Sequence, residues 1–158
     1  MKQELDALLC EKYPKMMVNR NKPMQETCMC WGFECGDGWY NILNQLMGNI
    51  QHHIDWKERQ RDWAIRFNST AAPEDLRPVP DAIPQVTLDQ VKEKFGTLRF
   101  YYTGGDDYIR GMVTLAEAMS GTICETCGNP AKRRGGGWLY TACDAHTNPE
   151  HLTEQEEV

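Results

Sequence analysis

The sequence predicts an α+β fold: helices packed with a small antiparallel β hairpin or sheet, plus a C-terminal zinc-ribbon-like module. Three observations carry this. From Asp37 to about Phe67, apolar residues recur at helical spacing. The segment QVTLDQVKEKFGTLRFYYTGG is rich in strand-forming residues and has Gly96 between two candidate strands. Near the C-terminus, cysteines and a histidine follow the pattern C-x2-C…C-x2-H. The organisation expected is an α+β core over residues 1–121, the module over 122–148 and an acidic tail over 149–158. A chain of 158 residues can bury a hydrophobic core without disulfides.

Taken in order, residues 3–12 form a short helix with Leu5, Leu8 and Leu9 on one face, stopped by Pro14. Residues 15–36 show no clear period and hold Cys28, Cys30 and Cys35 with Trp31 and Phe33. Asp37 is placed to cap the following helix, whose core face is Ile42, Leu43, Leu46, Ile50 and Ile54. Pro73, Pro78, Pro80 and Pro84 make residues 69–84 a loop. A hairpin turning near Lys94–Thr97 follows, with a short helix over 88–94 as the competing reading. Asp106 or Asp107 caps a helix whose apolar face is Ile109, Met112, Val113, Ala116 and Met119, and Ser120-Gly121 ends it. The closing HLTEQEEV is a polar tail or a last helical turn after Asn148-Pro149.

Charge and composition exclude some classes of function. The net charge is −6, so wrapping of duplex nucleic acid is disfavoured, since that needs clustered cations. No stretch approaches the roughly 20 apolar residues of a membrane span. The N-terminal MKQELDALLCEKYP lacks the apolar core of a signal peptide. A soluble, cytoplasmic protein is expected. Seven cysteines is an odd count, and they are bunched. In a reducing compartment such groups ligate metal more often than they pair as disulfides.

Residues 124–146 read CETCGNPAKRRGGGWLYTACDAH. A C-x2-C knuckle brings two thiolates onto one ion, and Gly128 suits the turn it needs. Cys143 and His146 supply the remaining corners beside Cys124 and Cys127. Four such ligands without a carboxylate fit a closed, structural Zn2+ site. Gly135-Gly136-Gly137 is read as the turn and Trp138-Leu139-Tyr140 as the returning strand.

Other features carry competing readings. Cys28, Cys30 and Cys35 could join His52 or His53 in a second metal site, but semi-buried thiols explain them better. His52 and Asp55 lie one helical turn apart, and a solvated face accounts for them. In CGDGWYNIL, capping and core packing compete with ligand contact by Trp39 and Tyr40. In KEKFGTLRFYY, alternation puts Arg99 and Tyr101 on one face, near Lys94. An aromatic ring beside a guanidinium can carry a nucleobase and its phosphate, against the plainer reading of an amphipathic strand. Lys132, Arg133 and Arg134 beside the glycines form a basic loop able to hold phosphate. No nucleophile–base set, P-loop or dinucleotide fingerprint is present, so nothing names a reaction.

MCWGFECGDGWYNIL, QVKEKFGTLRFYY and CETCG…GWLYTACDAH, in that order, resemble a family of small bacteriophage- and prophage-encoded proteins. The resemblance implies origin and context more than mechanism, and a place in the host bacterial cytosol. Small phage accessory proteins often act against host defences, some by sequestering nucleotide-type immune signals without cleaving them. The expectation is therefore a non-enzymatic, counter-defence binding protein. Its partner would be a small anionic nucleotide-like ligand or a host defence protein; self-association stays open. The alternatives are a zinc-ribbon regulator contacting nucleic acid or a host polymerase, and a metal-dependent hydrolase near His52, Asp55 and Cys28–Cys35.

Overall fold

Helix α1 (Gln3–Lys12) opens the chain in the computed structural model, which describes residues 1–151. Its inward face differs from the one expected. Leu9 is fully buried, but Leu8 is 48% exposed and Asp6 takes the inward position instead. The Asp6 carboxylate pairs with Arg20 at 3.2 Å and accepts the Phe33 N–H at 3.0 Å. A buried carboxylate needs such partners. Here they stitch the aperiodic segment 15–36 to α1.

That segment ends in a two-residue strand, β1 (Phe33–Glu34), too short to leave an alternating pattern in the sequence. Helix α2 (Tyr40–Asn68) is the central core helix, as expected, burying Leu43, Leu46, Met47, Ile50 and Ile54. Its start is different. A 3-10 turn over Asp37–Trp39 precedes it, and Asp37 does not cap it. The Asp37 carboxylate instead accepts the Lys2 N–H at 2.7 Å and pairs with Lys2 Nζ at 3.3 Å, at the start of α1. Past Ile54, Ala64 is the one buried residue of α2. Segment 69–84 is a loop that returns along this half of the helix. Arg61 Nη1 donates to Pro80 O at 2.7 Å, and Asn68 bonds both the N–H and the carbonyl of Arg77 at 2.8 Å.

Strands β2 (Thr87–Lys94) and β3 (Thr97–Thr103) form the expected antiparallel hairpin, so the helical reading of 88–94 falls away. The reversal is a two-residue turn at Phe95 and Gly96, with φ of 55° and 78°. β1 pairs parallel to β2, giving the order β1-β2-β3. Leu88, Val91, Leu98 and Phe100 point into the core. Helix α3 (Asp107–Ser120) is capped by Asp106, whose Oδ1 accepts the Ile109 N–H at 3.0 Å. Its buried face is Ile109, Val113 and Ala116, while Met119 is exposed, so the stripe is narrower than expected.

α3 also closes the free edge of β3. Glu117 Oε1 accepts the Phe100 N–H at 2.9 Å, and Ser120 Oγ accepts the Leu98 N–H at 2.8 Å. Side chains thus take the place of a further strand. A separate two-stranded sheet, β4 (Lys132–Arg134) and β5 (Tyr140–Ala142), forms the C-terminal hairpin. A 3-10 turn over Pro149–His151 follows, and residues 152–158 of the acidic tail lie outside the described residues. No helix among the described residues is long and apolar enough to cross a membrane.

Ser120 is fully buried, so removing its hydroxyl leaves the Leu98 N–H without an acceptor. Ser120→Ala is expected to lower the unfolding free energy by about 1–3 kcal/mol, measured by urea denaturation.

Candidate metal centre and its basic neighbours

Ser120-Gly121 ends α3, and the chain enters the first knuckle at Cys124 within a few residues. The knuckle closes through the Gly128 N–H, which donates to Cys124 O at 2.8 Å. Gly128 has φ of 81°, a conformation that favours glycine. The hairpin β4–β5 then returns the chain to Cys143 and a 3-10 turn that carries His146. Cys143 Sγ lies 3.2 Å from His146 Nδ1, Cys127 Sγ 3.7 Å from Cys143 Sγ, and Cys124 Sγ 3.7 Å from His146 Nδ1. All four ligand atoms fall within 4.8 Å of one another, so the predicted set converges and could hold a metal ion.

The electrostatics favour a thiolate at the buried corner. Burial alone would raise the Cys124 pKa, but N–H groups of Cys143, Cys127 and Thr126 outweigh it and bring it down to about 6. At Cys127 the Asn129 N–H pulls downward, yet slight burial and the neighbouring sulfurs leave the thiol above its ordinary value. A cation among the four groups would favour the thiolate form of the sulfurs. Cys35 is the opposite case, a thiol pushed up to about 12 chiefly by burial.

The centre is seated directly on the core. Gly38 N–H donates to Glu125 O at 2.8 Å, Gly36 N–H to Glu125 Oε1 at 2.8 Å, and Trp39 Nε1–H to Ile123 O at 2.8 Å. The approach leaves no room for side chains. A Cβ on Gly38 would stand 2.1 Å from Cys124 O and 2.4 Å from Gly128 N. Thr141 Oγ1 donates to Gly96 O, which ties β5 to the β2–β3 turn. The composition of CGDGW is explained by this contact.

The predicted ligand-contacting residues separate into three groups. Trp39 is fully buried with its N–H satisfied, so it is a core residue and offers no ligand platform. Tyr40 is half-buried against the same core. Lys94, Arg99 and Tyr101 do share the outer side of the hairpin. Lys92 stands opposite Arg99, and its Nζ lies 5.8 Å from the centre of the Tyr101 ring. Arg133 and Arg134 are not in a loop: Lys132–Arg134 is strand β4, and the returning strand begins at Tyr140 rather than Trp138. Arg134 is buried, with Nε donating to Ala142 O at 3.1 Å and an ion pair to Asp144. Arg133 Nη2 donates to Phe95 O at 2.8 Å. Both guanidinium groups brace the module.

The alternative clusters weighed from the sequence do not assemble, in keeping with the plainer readings preferred there. Among the described residues, no metal-capable group includes Cys28, Cys30 or Cys35. Asp55 pairs with Lys15 at 3.1 Å and Gln51 at 2.9 Å, not with His52. His53 is the histidine that finds a carboxylate, Asp106 at 2.9 Å, and it stacks on Tyr108 at 4.5 Å. Sequence reasoning also passed over a cleft of about 440 Å³ between the β2–β3 turn and the glycine tract. Its walls include Lys92, Lys94, Phe95, Trp138 and Leu139. The signal available was an aromatic residue at a two-residue turn and another after three glycines.

Purified protein is expected to carry one metal ion per chain by elemental analysis, and Cys124→Ser or His146→Ala to lose it. Gly38→Ala is expected to destabilise the protein by about 1–3 kcal/mol through overpacking against the knuckle. Gly111→Ala is its control in thermal melts, since a Cβ there meets nothing within 4 Å.

Comparison with protein-family models, with curated proteins and with solved structures finds no match.

Proposed function

We propose that the protein is a non-enzymatic binding protein, built on one structural zinc ion, that captures a small anionic nucleotide-type ligand. Zinc is the ion that three thiolates and an imidazole suit best. In a tetrahedral site with bonds of about 2.3 Å, sulfur ligands stand about 3.7 Å apart, the spacing of Cys127 and Cys143. Four protein ligands leave no corner for a reacting water, so the ion acts as a scaffold.

The observation that carries the ligand reading is the outer face of the β2–β3 hairpin. Lys92, Lys94 and Arg99 share that face with the exposed ring of Tyr101, and Lys92 Nζ lies 5.8 Å from its centre, with Glu34 opposite Lys92, on a chain whose net charge is −6. A local cationic face on an acidic protein favours a small anion over a polyanion, because the rest of the surface repels a long phosphate backbone. Aromatic and cationic groups side by side recognise a base and its phosphate. The resemblance to phage-encoded proteins supplies the context, a counter-defence protein in the host cytosol that holds a nucleotide-type immune signal. A role of the basic hairpin in contacting nucleic acid or a polymerase is less well supported, since Arg134 is buried in an ion pair.

Isothermal titration against cyclic nucleotides and ADP-ribose derivatives is expected to give saturable binding. Heat denaturation of the complex should then release the ligand with unchanged mass. Silence across the panel with folded protein would defeat the nucleotide reading, and release of a converted product would make the protein an enzyme.

A further inference from the structure

Two aromatic side chains of this protein have no structural employment. Phe95 occupies the first position of a two-residue turn with φ of 55°, where asparagine or glycine is the suited residue. A bulky side chain is disfavoured there, and core packing does not compensate, because the ring is 64% exposed. Trp138 is 80% exposed, the largest value among the exposed large hydrophobic side chains. Residues that break a local rule without a gain in packing mark functional positions. Both line the same cleft of about 440 Å³, together with Lys92 and Lys94. Lys94 Nζ lies 5.5 Å from the centre of the Phe95 ring, so cation and ring are already adjacent. Glu93 also borders the cleft, but its Oε1 is engaged by the Gly96 N–H at 2.6 Å, within the turn.

We propose that this cleft is the ligand site: a flat heteroaromatic ring stacks on Phe95 and Trp138, and its phosphate is held by Lys92 and Lys94. The proposal rests on the nucleotide reading above and assigns it a place. The cleft has the size of a small-molecule site, which fits a single nucleotide unit rather than a strand. One wall belongs to the hairpin and the other to the module that the metal organises. The site therefore exists only when the two are docked, through Thr141 on Gly96 and Arg133 on the Phe95 carbonyl.

The test uses AMP, cyclic AMP, cyclic di-AMP and ADP-ribose as probes, titrated calorimetrically into wild type, Trp138→Ala and Phe95→Asn. Asparagine accepts the turn conformation, so the hairpin is retained. Each variant is expected to bind the probe that wild type binds about tenfold or more weakly, while the Tm of Phe95→Asn stays equal to or above that of wild type. Unchanged affinity in both variants would place the site elsewhere and overturn this proposal while leaving the nucleotide reading intact. A clear fall in the Tm of Phe95→Asn would show the ring to be structural and remove the ground for the site. Absence of binding by wild type to every probe would overturn the nucleotide reading and this site with it.

Discussion

Backbone meets backbone where the Gly36–Trp39 turn lies on the Ile123–Gly128 knuckle, and the arrangement of both halves of the protein follows from that contact. The Gly38 N–H reaches Glu125 O, Gly36 reaches the Glu125 carboxylate, and the Trp39 indole reaches Ile123 O. The Gly36 and Gly38 N–H groups, in the turn that leads into α2, are thus satisfied by the module. The reverse also holds, since the knuckle gives its carbonyls to the core. Burial of Glu125 raises its pKa, although the Gly36 N–H acts to lower it. A small hairpin that cannot bury a core of its own is here completed by a surface built to receive it.

Two consequences extend from that docking. The first concerns the sheet: α3 closes the β3 edge with Glu117 and Ser120, and the chain leaving Ser120 leads straight into the first knuckle. Edge protection, the helix end and the metal centre therefore succeed one another within a short stretch of chain. The second concerns coupling. Trp39 is fully buried in the core and bonded to the module. Loosening of the knuckle would release Ile123 and Glu125, so the disturbance would reach α2 and would not stop at the hairpin.

Long periodic elements and ligand spacing were legible in the sequence; contacts between distant backbones were not. α2 and α3 announce themselves by apolar spacing, and the C-x2-C…C-x2-H pattern brings its four ligands together as spaced. The cap of α2 was misread because an aspartate before a helix and an aspartate serving another helix look identical in one dimension. Asp37 answers to Lys2, 35 residues away. β1 was invisible because two residues cannot show alternation. Arg134 looked like a free cation beside glycines, yet its ion partner Asp144 lies ten positions on, across the hairpin. In CGDGW the sequence supports capping and core packing or ligand contact, whereas both glycines serve the close approach of the knuckle.

The same physics separates scaffold from site. Groups that hold the module are already engaged: Arg134 with Asp144, Trp39 with Ile123, and the Cys124, Cys127, Cys143 and His146 side chains in one cluster. Such groups have little left to offer a ligand, because recognition requires unspent charge or unspent surface. What remains unspent sits at the seam the scaffold creates. The β2–β3 turn and the glycine tract carry lysines and exposed rings that no packing demands. Held by an ion at its base, the hairpin would be a suitable second wall for such a cleft, since pre-organised walls lower the ordering cost of binding. An ion held by the four ligands would bear on the proposed site by fixing where Trp138 stands relative to Phe95.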